Sequence, residues 1–184
     1  MELPERREAF RVKPLPDSVR NLGLWFADCV EPDSFLDHTR LGPPRMQLGI
    51  QSRYRLELED ISAGGLSLAL ESELLAERPA EHLRNKRLLV LVELAALHTE
   101  DPLRLLTLSE VARVLPMPGG IRLGLRFLAQ AKFIRHTRRV FLFDLHQRGI
   151  DPLAAWSSAH PCLMRIQEES PQDEELNMWL QGQD

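Results

Sequence analysis

The segment DISAGG, residues 60–65, contains side chains that could bind a charged, planar ligand. The Asp60 carboxylate can accept N–H donors, and the Ser62 hydroxyl can donate or accept beside it. Gly65 leaves room for another group to approach the backbone. The same residues also have a structural explanation, because Asp and Ser bond to the backbone of turns and Gly permits turn conformations. The rest of the sequence is needed to choose between a ligand site and a plain turn.

Arginines near the N-terminus could supply the cations of such a site. In RREAFR, Arg7 and Arg11 are separated by three residues, and Arg6 lies beside them. A guanidinium bonds phosphate oxygens in pairs, bonds O6 and N7 of guanine, or stacks on a base. The spacing alone is not specific, since it recurs in Arg122 with Arg126 and in Arg135 with Arg139. We assign those pairs to a strand face and a helix surface, so only the N-terminal pair precedes the first predicted strand.

The residues on both sides of DISAGG alternate between apolar and polar types, which predicts a β-hairpin. In RYRLELED, Leu56 and Leu58 share one face with Tyr54, and charged residues occupy the other face. After the turn, the alternate apolar positions are Leu66, Leu68 and Leu70. The turn chemistry therefore lies where two strands meet.

The remaining elements are predicted from the same periodicities. Further strands are expected at 18–26, 86–95 and 121–127, the last with an inner face of Ile121, Leu123, Leu125 and Phe127. Residues 103–115 also have a strand-like pattern, although the same residues are compatible with a helix. From Leu128 to Arg148 the apolar residues have helical spacing, so a helix is predicted there. Asp151-Pro152 predicts the start of another helix, because Asp is a preferred N-cap and Pro suits the first helical position.

These motifs, in this order, resemble the PilZ domain family, bacterial receptor modules for cyclic di-GMP. DISAGG fits the family motif (D/N)xSxxG through Asp60, Ser62 and Gly65, and Arg7 with Arg11 fits its RxxxR motif. The strand order, the PGG turn and the LGLRF strand are also similar to those of the family. The resemblance covers roughly residues 6–148.

The resemblance implies a mainly β fold, namely a small antiparallel six-stranded barrel with a C-terminal helical extension. It divides the chain into a basic arm at 1–17, a barrel with a packing helix at 18–148 and a helical extension at 149–184. It implies a cyclic di-GMP receptor that relays the ligand to a partner protein controlling motility, polysaccharide or biofilm. The implied ligand-binding residues are Arg6, Arg7, Arg11, Asp60, Ser62 and Gly65.

One departure from the family keeps two alternatives open. The gap from Arg11 to Asp60, positions 12–59, is longer than the family's usual gap. A loop insertion at 27–44 would lengthen the gap without disturbing the site. Alternatively, Arg40 and Arg45, with four residues between them, could contact the phosphates.

The protein could also be an adaptor of PilZ type that no longer binds nucleotide and acts only through protein contacts.

Composition excludes several other classes of function. The net charge of −4 argues against a nucleic-acid partner. The six His and two Cys lack metal-ligand spacing, and no catalytic motif is present, so we expect neither metal, cofactor nor enzyme activity. The longest apolar run, 88–97, is too short to span a membrane. The N-terminus lacks a secretory signal and the cysteines are isolated, which favours the cytoplasm.

Apolar residues after 149, including Trp156 and Trp179, indicate a partner or homodimer contact.

Overall fold

The computed structural model describes residues 11–37, 42–47, 56–71, 80–96, 101–136, 139–146, 148–159 and 164–166. Over these residues the fold is mainly β, which confirms the predicted class. The strands are β1 Arg11–Lys13, β2 Val19–Phe26, β3 Ser34–Leu36, β4 Met46–Gln47, β5 Leu56–Ser62, β6 Gly65–Glu71, β7 Arg87–Leu94, β8 Leu103–Met117, β9 Gly120–Ile134, β10 Arg139–Asp144 and β11 Met164–Ile166. One α-helix among them, α1, spans Asp151–Ala159, and short 3₁₀ turns span Pro16–Ser18 and Ala80–Leu83.

All the strand pairings described are antiparallel and join the strands into one sheet. The hydrogen-bonded order is β11-β1-β5-β6-β9-β8-β7-β2-β4, and β10 pairs with both β9 and β3. Within the described part of the chain, the two end strands of this order do not pair, so the ladder is open rather than closed into a six-stranded barrel. The sheet is nevertheless curled, since Cα atoms of β2 and β5 approach within 8 Å of each other.

Alternating side chains of the central strands build the main core inside the curl. The predicted inner face of β9 is confirmed, because all of its four apolar residues from Ile121 to Phe127 are buried. The predicted hairpin is also confirmed: Leu56 and Leu58 on β5 are buried with the alternate leucines of β6. Each buried leucine contributes roughly 1.5–3 kcal/mol through removal of its side chain from water. The DISAGG turn therefore connects two strands whose inner side chains are buried in the main core.

A second, smaller core lies on the opposite face of the sheet. Leu88 and Leu89 are neighbours on β7, yet they belong to different cores, because successive side chains of a strand point to opposite faces. Ala129 on β9 and Leu142 on β10 pack with Leu89 in the second core. The segment 27–44 contains β3, and Leu36 of this strand also packs in the second core.

The helix predicted between Leu128 and Arg148 is wrong, because this segment forms the end of β9 and all of β10. Along β10, Leu142 is buried, whereas Phe143 is exposed. The sequence of β10 does not show the alternation of apolar and polar residues that marks a strand, because its outward positions, including Phe141 and Phe143, are apolar as well. With apolar residues on both faces, a strand resembles a segment of helix in a periodicity analysis.

The helix predicted from Asp151 is confirmed, and it belongs to the main core. Leu153 and Trp156 of α1 are buried with Ile150, and the Trp156 indole N–H donates to the Ala95 carbonyl at 2.8 Å. The apolar surface of Trp156 is thus used within the chain instead of facing a partner, whereas Trp179 lies outside the described residues. After α1, strand β11 pairs with β1. None of the helices in the described ranges is long and apolar enough to cross a membrane.

Candidate functional site

Strand β1 places the end of the N-terminal arm against the DISAGG hairpin. Val12 pairs with Ile61 of β5 on one side and with Arg165 of β11 on the other. Val12 is only 1% exposed, so its side chain anchors β1 in the main core. Arg11 and Lys13 are exposed because the side chains of a strand alternate between its two faces. The long gap in sequence between Arg11 and Asp60 therefore does not separate the two segments in space.

Arg11 and Asp60, two of the predicted ligand-binding residues, are neighbours in the structure. A guanidinium nitrogen of Arg11 lies 3.8 Å from an Asp60 carboxylate oxygen. The Arg11 side chain is 45% exposed and that of Asp60 is 16% exposed, so the arginine faces solvent over a partly sheltered carboxylate. Ion pairs of this exposure contribute about 0–1 kcal/mol, and an anionic ligand could exchange for the carboxylate at small cost.

The DISAGG turn is fixed by hydrogen bonds at each of its corners. Ser62 pairs with Gly65 across the turn, and the Ser62 hydroxyl donates to the Gly65 carbonyl at 3.2 Å. The Gly64 carbonyl accepts from the Phe127 N–H at 3.0 Å, and the Ala63 carbonyl accepts from the Ile150 N–H at 2.8 Å. The turn is therefore held between β9 and the residue that precedes α1. The Ser62 hydroxyl has the structural role that turn chemistry predicts, and its remaining hydrogen-bonding capacity is that of an acceptor.

Gly65 is required by the sheet itself. A Cβ atom at this position would lie 2.1 Å from the Leu125 carbonyl oxygen of the neighbouring strand β9, which is far inside van der Waals contact. At Gly64, one residue earlier, a Cβ atom would meet no atom within 4 Å. The close approach that the sequence predicted at Gly65 is thus made by the backbone of β9.

This difference predicts unequal effects on stability for two adjacent substitutions. We expect Gly65→Ala to lower the free energy of unfolding by about 1–3 kcal/mol, because β9 must move away from the new methyl group. Gly64→Ala is the matched control and should change stability by less than about 0.5 kcal/mol. Urea unfolding of both variants measures the difference. Equal stabilities of the two variants would show that the close contact with β9 is easily relieved.

A β-bulge in β5 turns a second carboxylate toward the same outer surface. The register with β6 shifts between Leu58 and Asp60, so that Glu59 is the additional residue. Glu59 forms an ion pair with Arg122 of β9, and its carboxylate accepts from the largely buried Ser67 hydroxyl at 3.4 Å. The hydrogen bond with Glu59, the charge of Glu59 and, less strongly, the charge of Asp60 raise the pKa of Arg122.

Arg122 is the residue of this cluster that the sequence analysis missed. It was assigned to an ordinary strand face, because nothing in the sequence gives the register between β6 and β9. The structure pairs Ala69 with Arg122 and Gly65 with Arg126, which places both arginines beside the hairpin. Arg126 also forms an ion pair with Glu110, at 2.9 Å. The outer surface around Asp60 therefore alternates in charge, with Arg11 on one side and Arg122 on the other.

The remaining arginines predicted for the site lie outside the described residues or beside another strand. Arg6, Arg7 and Arg40 lie outside the described residues. Arg45 is exposed, and its backbone N–H donates to the Leu24 carbonyl of β2 at 2.8 Å. Among the described strands, β4, which follows Arg45 directly, pairs with β2 and not with β1.

A group of ligand-type atoms occurs away from the hairpin, at the start of β3 and the end of β10. Single oxygen or nitrogen atoms of Asp33, Asp144 and His146 lie within 4.8 Å of one another. Asp33 accepts from the Asp144 N–H at 3.1 Å, and Asp144 accepts from the His146 N–H at 2.7 Å. These bonds fasten the loop before β3 to β10 and give both carboxylates a structural role.

Comparison with known proteins adds no identification. No protein-family model, no curated protein and no solved structure matches this chain. The interpretation of the site therefore depends on its own residues: a solvent-facing arginine, a sheltered aspartate and a fixed hairpin turn, brought together by the pairing of β1 with β5.

Proposed function

We propose that the protein is a cyclic di-GMP receptor whose ligand binds between the N-terminal arginines and the DISAGG hairpin. The observation that carries this proposal is the 3.8 Å approach of the Arg11 guanidinium to the Asp60 carboxylate across β1 and β5. These two residues come from separate motifs of the PilZ resemblance, and they meet at one exposed corner of the sheet.

The chemistry of the two groups suits a guanine nucleotide. The guanidinium of Arg11 can bond phosphate oxygens in pairs or the O6 and N7 atoms of guanine. The Asp60 carboxylate can accept the N–H donors on the Watson–Crick edge of guanine, which adenine does not offer in the same arrangement. Arg6 and Arg7 would add phosphate contacts, and Ser62 and Gly65 would form the floor of the site. Such a site binds its ligand without chemical change, as a receptor does.

The finer fold assignment belongs to the same proposal. We equate the strands β2, β5, β6, β7, β8 and β9 with the six strands of a PilZ-type barrel. The approach of β2 to β5 within 8 Å supports this, because these strands would be the two that close the barrel. Strand β1 would then lie beside this seam, with Val12 in the core and Arg11 on the outer surface.

Binding would change the surface that a partner protein meets. A nucleotide that bonds Arg11 and Asp60 separately would replace their mutual ion pair and cover both side chains. The bound ligand and the arm would together form a new surface in the bacterial cytoplasm. Because only the bound state has this surface, a partner selective for it would respond to the ligand concentration.

Calorimetric titration of the protein with cyclic di-GMP tests the proposal directly. We expect saturable binding, together with a higher midpoint of thermal unfolding. A ligand present at 100 times its Kd stabilises the folded state by about 2.7 kcal/mol. Cyclic di-AMP is the matched control ligand, because it has the same backbone and lacks the guanine edge. Equal binding of both nucleotides would contradict the assigned role of Asp60, and no binding of either would contradict the proposal.

Substitution of Asp60 separates recognition from turn structure. Asp60→Asn keeps the size of the side chain but replaces one acceptor oxygen by a donor, so it should weaken cyclic di-GMP binding by roughly 10-fold or more. The thermal midpoint of the protein without ligand should stay close to that of the wild type. A lower midpoint with unchanged affinity would show that Asp60 only stabilises the hairpin.

A second candidate function is an adaptor of PilZ type that does not bind nucleotide. It is favoured by the internal bonding of the site, since Asp60 is near Arg11 and the Ser62 hydroxyl bonds Gly65. In that case these residues stabilise the hairpin corner, and the protein acts through protein contacts alone. The calorimetric titration distinguishes the adaptor from the receptor.

A further inference from the structure

Three phenylalanines form a cluster on the surface of β3 and β10, away from the hairpin site, with the half-buried Phe141 between two exposed rings. The ring centroids of Phe35 and Phe141 are 5.0 Å apart, and those of Phe141 and Phe143 are 4.8 Å apart, both in edge-to-face contact. Phe35 is 51% exposed and Phe143 is 39% exposed. A contiguous exposed apolar patch on a protein surface is a marker of an interaction site.

Each end of the row carries its own cation. The Lys132 ammonium lies 5.4 Å from the centroid of the Phe143 ring, and the Arg139 guanidinium lies 5.6 Å from that of Phe35. We call these five residues the aromatic face. It spans β3, β10 and the end of β9, because Phe35 pairs with Phe141 and Phe141 pairs with Lys132.

The β9 and β10 part of the aromatic face lies in a basic segment, whereas Asp33 and Asp37 lie two residues on either side of Phe35 and Asp144 follows Phe143. From Val111 to Phe143 the chain contains no Asp or Glu, although the protein as a whole has a net charge of −4. The composition of the complete chain argued against a nucleic-acid partner, whereas this segment has the opposite charge. A local basic surface with interleaved aromatic rings is the pattern by which proteins bind single strands.

We propose that the aromatic face binds single-stranded nucleic acid. Bases would stack on Phe35, Phe141 and Phe143, and Lys132 and Arg139 would contact the phosphates. One nucleotide carries a planar base and an anionic phosphate, and each end of the face offers one ring and one cation within 6 Å of each other. An acidic peptide carries its aromatic and acidic groups on separate residues and matches these ring–cation pairs less well. A duplex keeps its bases stacked and offers no base surface to the rings.

The proposal is tested by fluorescence anisotropy with a labelled oligouridylate and a labelled oligothymidylate of about 12 nucleotides, within the range of known site sizes. We expect saturable binding of a single strand that weakens by about 7-fold between about 50 mM and 200 mM salt, as two phosphate contacts predict. Phe35→Ala and Phe143→Ala should each weaken binding roughly 5- to 150-fold. Lys132→Gln should reduce the slope of log affinity against log salt by about 0.7.

The chain provides a matched aromatic control in the same hairpin. Phe133 is 60% exposed, and it follows Lys132, so its side chain points to the opposite face of β9. Phe133→Ala should therefore leave the oligonucleotide affinity at the wild-type value. Because Phe35, Phe133 and Phe143 are exposed, their alanine variants should fold. Circular dichroism and thermal unfolding check this.

Three results would overturn the proposal. The first is the absence of binding to either single strand at low salt. The second is an equal effect of Phe35→Ala and Phe133→Ala, which would place binding elsewhere, for example on the N-terminal arginines. The third is binding of an acidic, tryptophan-containing peptide to this face in the absence of oligonucleotide binding. Cyclic di-GMP titrations of the same variants should be unchanged, so the two proposals fail or succeed separately.

Discussion

Trp156→Ala is expected to lower the free energy of unfolding by about 3–5 kcal/mol, the range for removal of a buried aromatic side chain. The indole is only 6% exposed and packs in the main core between the sheet and α1. Its truncation leaves a cavity and also removes the hydrogen bond to the Ala95 carbonyl. Because domains of this size are stable by about 5–15 kcal/mol, the variant should unfold at a much lower urea concentration.

The neighbouring Ser157 is the control for this measurement. Its hydroxyl donates to the Ala154 carbonyl within the same helix, and Ser157→Ala should change stability by less than about 0.5 kcal/mol. If both variants unfold at the urea concentration of the wild type, then α1 does not contribute to the core. If the prediction is correct, removal of the chain after Gly149 would destabilise the whole sheet and could not be used to test partner binding alone.

Arg11→Ala should weaken cyclic di-GMP binding roughly 10- to 150-fold, because a charge-assisted hydrogen bond contributes about 1.5–3 kcal/mol. Stability should hardly change, since the ion pair with Asp60 is half-exposed and long. Arg11→Lys should recover part of the affinity, because lysine retains the charge and loses the planar fork. Titration calorimetry and thermal unfolding of both variants provide the two measurements.

Arg104 offers a matched arginine outside the proposed site. Its guanidinium pairs with Glu93 at 2.7 Å on the outer face of β7 and β8, and its side chain is 69% exposed. Arg104→Ala should bind cyclic di-GMP as the wild type does. If the wild type binds but Arg11→Ala keeps full affinity while Arg45→Ala loses it, then the phosphate contacts come from the second pair of arginines.

Local patterns in the sequence predicted the parts of the fold in which one face is apolar and the other is polar. Leu56 and Leu58 alternate with Glu57 and Glu59, so the strand and its buried face were both evident. The start of α1 was evident for a similar reason, since Asp is a preferred N-cap residue and Pro152 has a backbone φ that suits the first turn of a helix. In both cases the information lies within a few consecutive residues.

Two kinds of feature were not predicted from the sequence. One is a strand whose outward side chains are apolar, and the other is the pairing of segments that are far apart in the chain. Phe141 and Phe143 are apolar on the outer face of β10, which removed the contrast that marks a strand. The position of Arg122 beside Asp60 follows from the register of β6 with β9, and no residue pattern specifies that register. The meeting of Arg11 with Asp60 was suggested only by a family resemblance, because it joins segments that are far apart in the chain.

The pairing of β1 has a consequence for the order in which the molecule assembles. The hairpins β5–β6 and β8–β9 join strands that follow each other in the chain, and isolated hairpins form in about 1–10 μs. Strand β1 instead pairs with Ile61 and with residues 164–166, so its loops are long and their closure is entropically costly. We expect the corner that carries Arg11 to be the last part of the sheet to form. During synthesis on the ribosome this corner would stay incomplete until residues 164–166, the partners of β1, have emerged.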